Sequence, residues 1–171
     1  MTDSRVSTEP SDRHPNLGLA PIDKNGGFPA AADTIRRDAL RLSAAALESA
    51  EEADPEIRTR YNEAALGKLL RDGELLVDRL ANCVSGGEIR WLTEYAEWIS
   101  PIYRRRGVPL DDLGLICAGI RHGIEPLLGA DEFALATRAL DAAIVIFGKN
   151  ARLGGDGHKR NALLKWLYKG V

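Results

Sequence analysis

Trp91, Tyr95, Trp98 and Ile102 recur at i, i+4, i+7 and i+11 in the segment WLTEYAEWISPIYRRRG (91–107), which closes on Arg104, Arg105 and Arg106. Residues so spaced share one stripe of a helix. A stripe of rings offers stiff, flat contact area to a planar conjugated ligand, and guanidinium groups beyond it pair bidentately with carboxylates. A linear tetrapyrrole (bilin), with a planar body and propionate tails, meets both. On this reading Trp91, Tyr95, Trp98 and Tyr103 hold the rings and Arg104, Arg105 and Arg106 hold the acids. The same spacing also serves a helix buried between neighbours, and three arginines at a helix C-terminus complement its dipole. The residues alone leave pocket and core open.

Other chemistry is sparse. Cys83, just ahead of the stripe, is the candidate for attaching or lining such a ligand, and a buried free cysteine is equally a small apolar side chain. Cys117 sits beside Ile116 in an apolar stripe. A heme would need an axial ligand. His14 and His158 fall in a Pro-rich arm and a Gly-rich turn, which leaves His122, one or two positions off the stripe of Ile116, Ile120 and Ile124. Two cysteines and three histidines fit no zinc spacing. No nucleophile–base arrangement or phosphate loop is present, and GGDG at 154–157 follows no strand signal. A non-enzymatic protein without a metal site is expected.

The whole chain, 171 residues with 44% hydrophobic and 28% charged, suits one domain. A net charge of −2 gives no general attraction to nucleic acid. The basic clusters are local: Arg104 to Arg106, and Lys159, Arg160, Lys165 and Lys169. No apolar run reaches the roughly 20 residues that span a bilayer, so no transmembrane segment, a cytoplasmic location and free thiols are expected.

The elements that must position these residues are helical. Residues 1–29 hold four of the eight prolines and a Gly26-Gly27 pair, and read as an extended arm. From residue 30 to 171 apolar positions recur at three and four, the signature of an all-α domain. The spacing predicts six helices: 30–52; 55–84, with Asp54 capping and Gly73 a place to bend or split; the aromatic helix, opened by a Ser85–Glu88 capping box and kinked or ended at Pro101; 109–124 or slightly beyond, with Pro126 marking its end; 131–148; and 158–168. The last is amphipathic, through Leu163, Leu164, Trp166, Leu167 and Tyr168, so peripheral membrane or partner contact through 158–169 stays open. Within the aromatic helix, Ile89, Leu92, Ala96, Ile99 and Tyr103 form the face predicted to pack inward.

The order of Tyr95-Ala96, the turn Pro109 to Asp112, Ala118 to Ile120 with LLG after it, and Ala139 to Ile146 resembles the second half of the phycobiliproteins and their non-heme globin relatives. The resemblance implies a globin-like helical bundle with no heme, and a linear tetrapyrrole or no ligand, as in sensor modules of bacterial signalling. It places Cys83 near the family's thioether attachment point. The family's aspartate three residues later is Gly86 here. Two main readings follow: a bilin-binding sensory or regulatory protein whose pocket is lined by helix 88–104, and a ligand-free adaptor or assembly subunit. The adaptor would bind other subunits or itself through the aromatic surface, the arm and the last helix. A heme-binding sensor globin using His122 is the third.

Overall fold

The computed structural model describes residues 26–153, and every regular element among them is helical. In order they are α1 (Pro29–Arg37), α2 (Ala39–Ala53), α3 (Glu56–Arg60), α4 (Glu63–Gly86), α5 (Arg90–Arg105), α6 (Leu110–Ile124), a single 3-10 turn (Glu125–Leu127) and α7 (Ala130–Leu153). The all-α expectation holds. Residues 1–25 of the arm and the 158–168 helix lie outside the described residues.

Several boundaries differ from the periodicity, each for a local reason. The 30–52 segment is two helices, because Asp38 leaves helical geometry (φ −96°, ψ 9°) and its carboxylate accepts from Arg41 at 2.6 Å. The 55–84 segment divides at Tyr61–Asn62 and not at Gly73. Asp54 does cap the short α3, its Oδ1 accepting from the Glu56 amide at 3.2 Å. Tyr61 is then extended (φ −113°, ψ 133°), and Asn62 starts α4 afresh by accepting from the Ala65 amide at 2.9 Å. Gly73 stays inside α4 because α2 packs there. A Cβ on it would collide with Ser43 Oγ, the hydroxyl that donates to the Leu70 carbonyl at 2.9 Å.

Ser85–Glu88 is a helix end and not a capping box. Ser85 and Gly86 complete α4, Gly87 is left-handed at φ 74°, and the Gly87 and Glu88 amides both donate to the Cys83 carbonyl. A side chain at Gly87 would also strike Gly26, and one at Gly27 would strike the Ser85 carbonyl. The end of the arm thus lies backbone to backbone on the end of α4, where the Phe28 amide donates to the Val84 carbonyl at 2.8 Å. Pro101 remains within α5 on its exposed side, where the carbonyl that loses its partner can turn to water. Likewise α7 continues through Gly148.

One core unites the helices. Leu42 of α2, Leu76 and Leu80 of α4, Leu92 of α5, Leu113, Ile116 and Ile120 of α6 and Phe147 of α7 are all fully buried. Helices α2 and α6 approach backbone to backbone, where a Cβ on Gly119 would lie 2.7 Å from Ala46 Cα and 2.8 Å from its carbonyl oxygen. The buried carboxylate among the described residues is Asp112, with no exposed surface. Nη1 of Arg60 donates to both its oxygens at 2.5 and 2.6 Å, the Tyr61 hydroxyl donates at 2.6 Å, and Arg60 Nη2 also reaches Asp54 at 3.1 Å.

This packing fixes the sign of three substitutions. Gly119→Ala forces α2 and α6 apart and lowers stability by about 1–3 kcal/mol. Gly114→Ala, in the same helix but with open space around it, raises it by about 0.5–1 kcal/mol. Urea titrations followed by circular dichroism check the opposite signs. Asp112→Ala leaves the Arg60 charge and the Tyr61 hydroxyl without their buried acceptor and costs about 3 kcal/mol or more, read from the same titrations.

Candidate functional site

Helix α5 sorts its two stripes to different environments. Leu92, Ala96, Ile99 and Tyr103 are buried, as predicted. The second stripe is divided: Trp91 is 40% exposed and Trp98 63%, whereas Tyr95 and Ile102 are half-buried and pack against the core. Helix α5 rests on α4 and α7 through its first face, and on the second stripe the two indoles face solvent. The outward rings form a patch. Tyr95 and Trp98 lie 6.1 Å apart, tilted at 41°; the Arg79 guanidinium sits 5.6 Å above Tyr95 and that of Arg90 5.1 Å above Trp91. Leu75, one turn before Arg79 and on the same face of α4, is 45% exposed.

The remaining predicted residues are dispersed. Arg104 and Arg105 are exposed at the end of α5, about 20 Å along the helix from Trp91 at 1.5 Å per residue. Arg106 caps the helix and faces a cleft at the α5–α6 turn. Cys83 is completely buried, and burial pushes its thiol up to about 11, against the pull of the Leu92 and Trp91 amides. A thiol so placed is a poor nucleophile. His122 is exposed on α6, without the apolar enclosure an axial heme ligand needs. Among the described residues no group of three or more His, Cys, Asp or Glu converges on one point.

The cleft, of about 390 Å³, lies between the start of α4 and the α5–α6 turn, walled by Arg60, Tyr61, Lys68, Asp72, Tyr103 and Arg106 over Ala65, Leu69, Gly107 and Val108. Of these only Tyr103 and Arg106 were singled out by the sequence. The others carry one faint signal, the helical spacing of Ala65, Lys68, Leu69 and Asp72; Arg60 and Tyr61 join them only through the break before α4. Burial raises the Asp72 carboxyl above its usual range, opposed by hydrogen bonding to Tyr103 and by the charges of Arg106 and Arg71. Burial, and then the Asp72 carboxylate, raise the Tyr103 phenol. Burial and Asp112 do the same for Tyr61.

These shifts set a direction for pH dependence. Cys83 at about 11 and Cys117 at about 12 lie above the ordinary thiol value of 9.0, and Tyr61 and Tyr103 lie above the ordinary phenol value of 10.0. In each case the folded state favours the protonated form. Their contribution is fully present below pH 9 and is lost as the pH rises through and beyond the ordinary values. Thermal melts are expected to hold their midpoint up to about pH 9 and fall steeply above it, with tyrosinate absorbance from Tyr61 and Tyr103 appearing only on unfolding. At neutral pH a maleimide is expected to label neither cysteine until denaturant is added.

No protein-family model matches this chain, and no curated protein matches it.

Proposed function

We propose that this protein is a non-enzymatic, globin-like helical module that acts through protein–protein contact, docking its own copies or other subunits on the face formed by Trp91, Tyr95 and Trp98 of α5 and Leu75 of α4. The observation that carries the reading is the exposure of two indoles, Trp91 and Trp98, on one stripe of α5 while the other face of that helix completes the core. Interface hot spots are enriched in tryptophan, tyrosine and arginine, and Arg79 and Arg90 already lie over the rings. Hydrophobic contact supplies the affinity, and the two arginines with Glu94 and Glu97 on the exposed side of α5 supply polar groups around it.

A bilin reading keeps one supporting observation. Exposed rings flanked by Arg79 and Arg90 provide stacking area and two partners for propionates, now on an open surface and without a thioether to Cys83. Protein co-expressed with a bilin supply should then show a broad red absorption band; a spectrum with aromatic absorption alone discards that reading.

Sedimentation velocity of the full chain over a concentration series tests the main proposal. Association is expected, and Trp98→Glu is expected to weaken it by about 30-fold or more, as befits a hot-spot residue, while the urea midpoint hardly moves. A chain whose association is untouched by Trp98→Glu and Leu75→Glu, and whose tryptophan emission does not change with concentration, overturns this face as the docking site.

A further inference from the structure

The cleft beside the α5–α6 turn belongs to neither reading above. We propose that it binds a small monocarboxylate with an apolar or aromatic body.

The charged lining sets the sign of the ligand's charge. Arg60 is already committed to Asp112 and Asp54. Lys68 and Asp72 stand at the i, i+4 spacing at which ion pairs form on a helix, yet no ion pair joins them. Lys68 makes no ion pair with any described residue, and Asp72 instead meets Tyr103 and the field of Arg106. Lys68 and Arg106 are thus the two cations of the cleft that form no ion pair with a described residue. A single carboxylate can accept from both, and Asp72 on the same wall repels a more highly charged anion.

Shape and rigidity point the same way. At about 390 Å³ the cleft is at the small end of ligand sites. Tyr61, Ala65 and Val108, each half-buried, offer the ligand's body an apolar surface, with Leu69 and Tyr103 buried behind them. The walls are fixed before any ligand arrives: the Val108 amide donates to the Tyr103 carbonyl at 3.0 Å and the Gly107 amide to the Arg104 carbonyl at 3.1 Å, and Asp112 holds Tyr61. Little ordering remains for binding to offset. In the bound state the carboxylate accepts from the Arg106 guanidinium and the Lys68 ammonium while the body lies against the half-buried Tyr61, Ala65 and Val108.

Titration of the isotopically labelled full chain with 1-naphthoate, followed by amide chemical shifts, tests this. Saturable shifts confined to residues 60–72 and 103–108 are expected, with Lys68→Gln and Arg106→Gln each weakening binding about tenfold, the loss of one charge-assisted hydrogen bond. Both side chains are at the surface, so unchanged dispersion of the remaining resonances will show that the variants fold. Four outcomes overturn the proposal: no shifts at millimolar naphthoate, equal binding of the uncharged naphthylmethanol, equal binding of inorganic phosphate, or shifts centred on the Trp91 and Trp98 indoles that survive both substitutions.

Discussion

A carboxylate with no exposed surface must be matched at once by donors, or it costs several kcal/mol, and Asp112 is matched by residues about fifty positions earlier in the chain. Arg60 and Tyr61 reach it from the end of α3. That requirement dictates more than one ion pair. To bring both side chains to the start of α6, the backbone at Tyr61 must extend, and extension ends the helix. Asn62 then supplies a new cap, and α4 departs on its own axis. The break gives the cleft its Arg60 and Tyr61 wall, and the same contact ties the N-terminal helices to the C-terminal ones at the α3–α6 junction.

With that junction set, the other helices approach as closely as their smallest residues allow. Ser43 meets α4 at Gly73 and Ala46 meets α6 at Gly119, so α2 is pressed against both. Close approach at these points goes with the burial of Leu42, Leu76 and Ile116, where each buried aliphatic side chain contributes roughly 1.5–3 kcal/mol. Helix α5 lies outside this centre, on α4 and α7. It needs only one apolar face to dock, and Leu92, Ala96, Ile99 and Tyr103 provide it.

This division explains what the sequence could tell. Helix identity and the inward face of α5 follow from period 3.6, and α6 was legible almost to the residue because Pro109 and Pro126 bracket it. The fate of Trp91, Tyr95 and Trp98 was not legible, since a stripe facing a neighbour and one facing water have identical spacing; the difference lies in whether another helix arrives. Gly73 was misread for a related reason: a glycine inside a helix marks a bend or a close neighbour, and only the position of Ser43 decides. The Ser85–Glu88 segment fits a capping box in sequence, but two successive glycines favour a left-handed turn that closes α4. The cleft draws on three separated segments joined through Asp112, and no local pattern announces such a long-range pairing.

The energetics of α5 separate folding from function. An indole left mostly in water gains little of the roughly 25 cal/mol per Å² that burial supplies, so Trp98 adds almost nothing to the stability of the single chain. Its ring neighbour is Tyr95, 6.1 Å away and tilted at 41°, and the Arg79 guanidinium lies over Tyr95 in turn. A large apolar side chain that the fold does not need costs the monomer little and offers its full area to whatever covers it. Leu92, two residues from α5's start and fully buried, has the reverse character. Substitutions along one helix should therefore divide cleanly into those that move the unfolding midpoint and those that move only association, and the dividing line is the boundary between the two stripes.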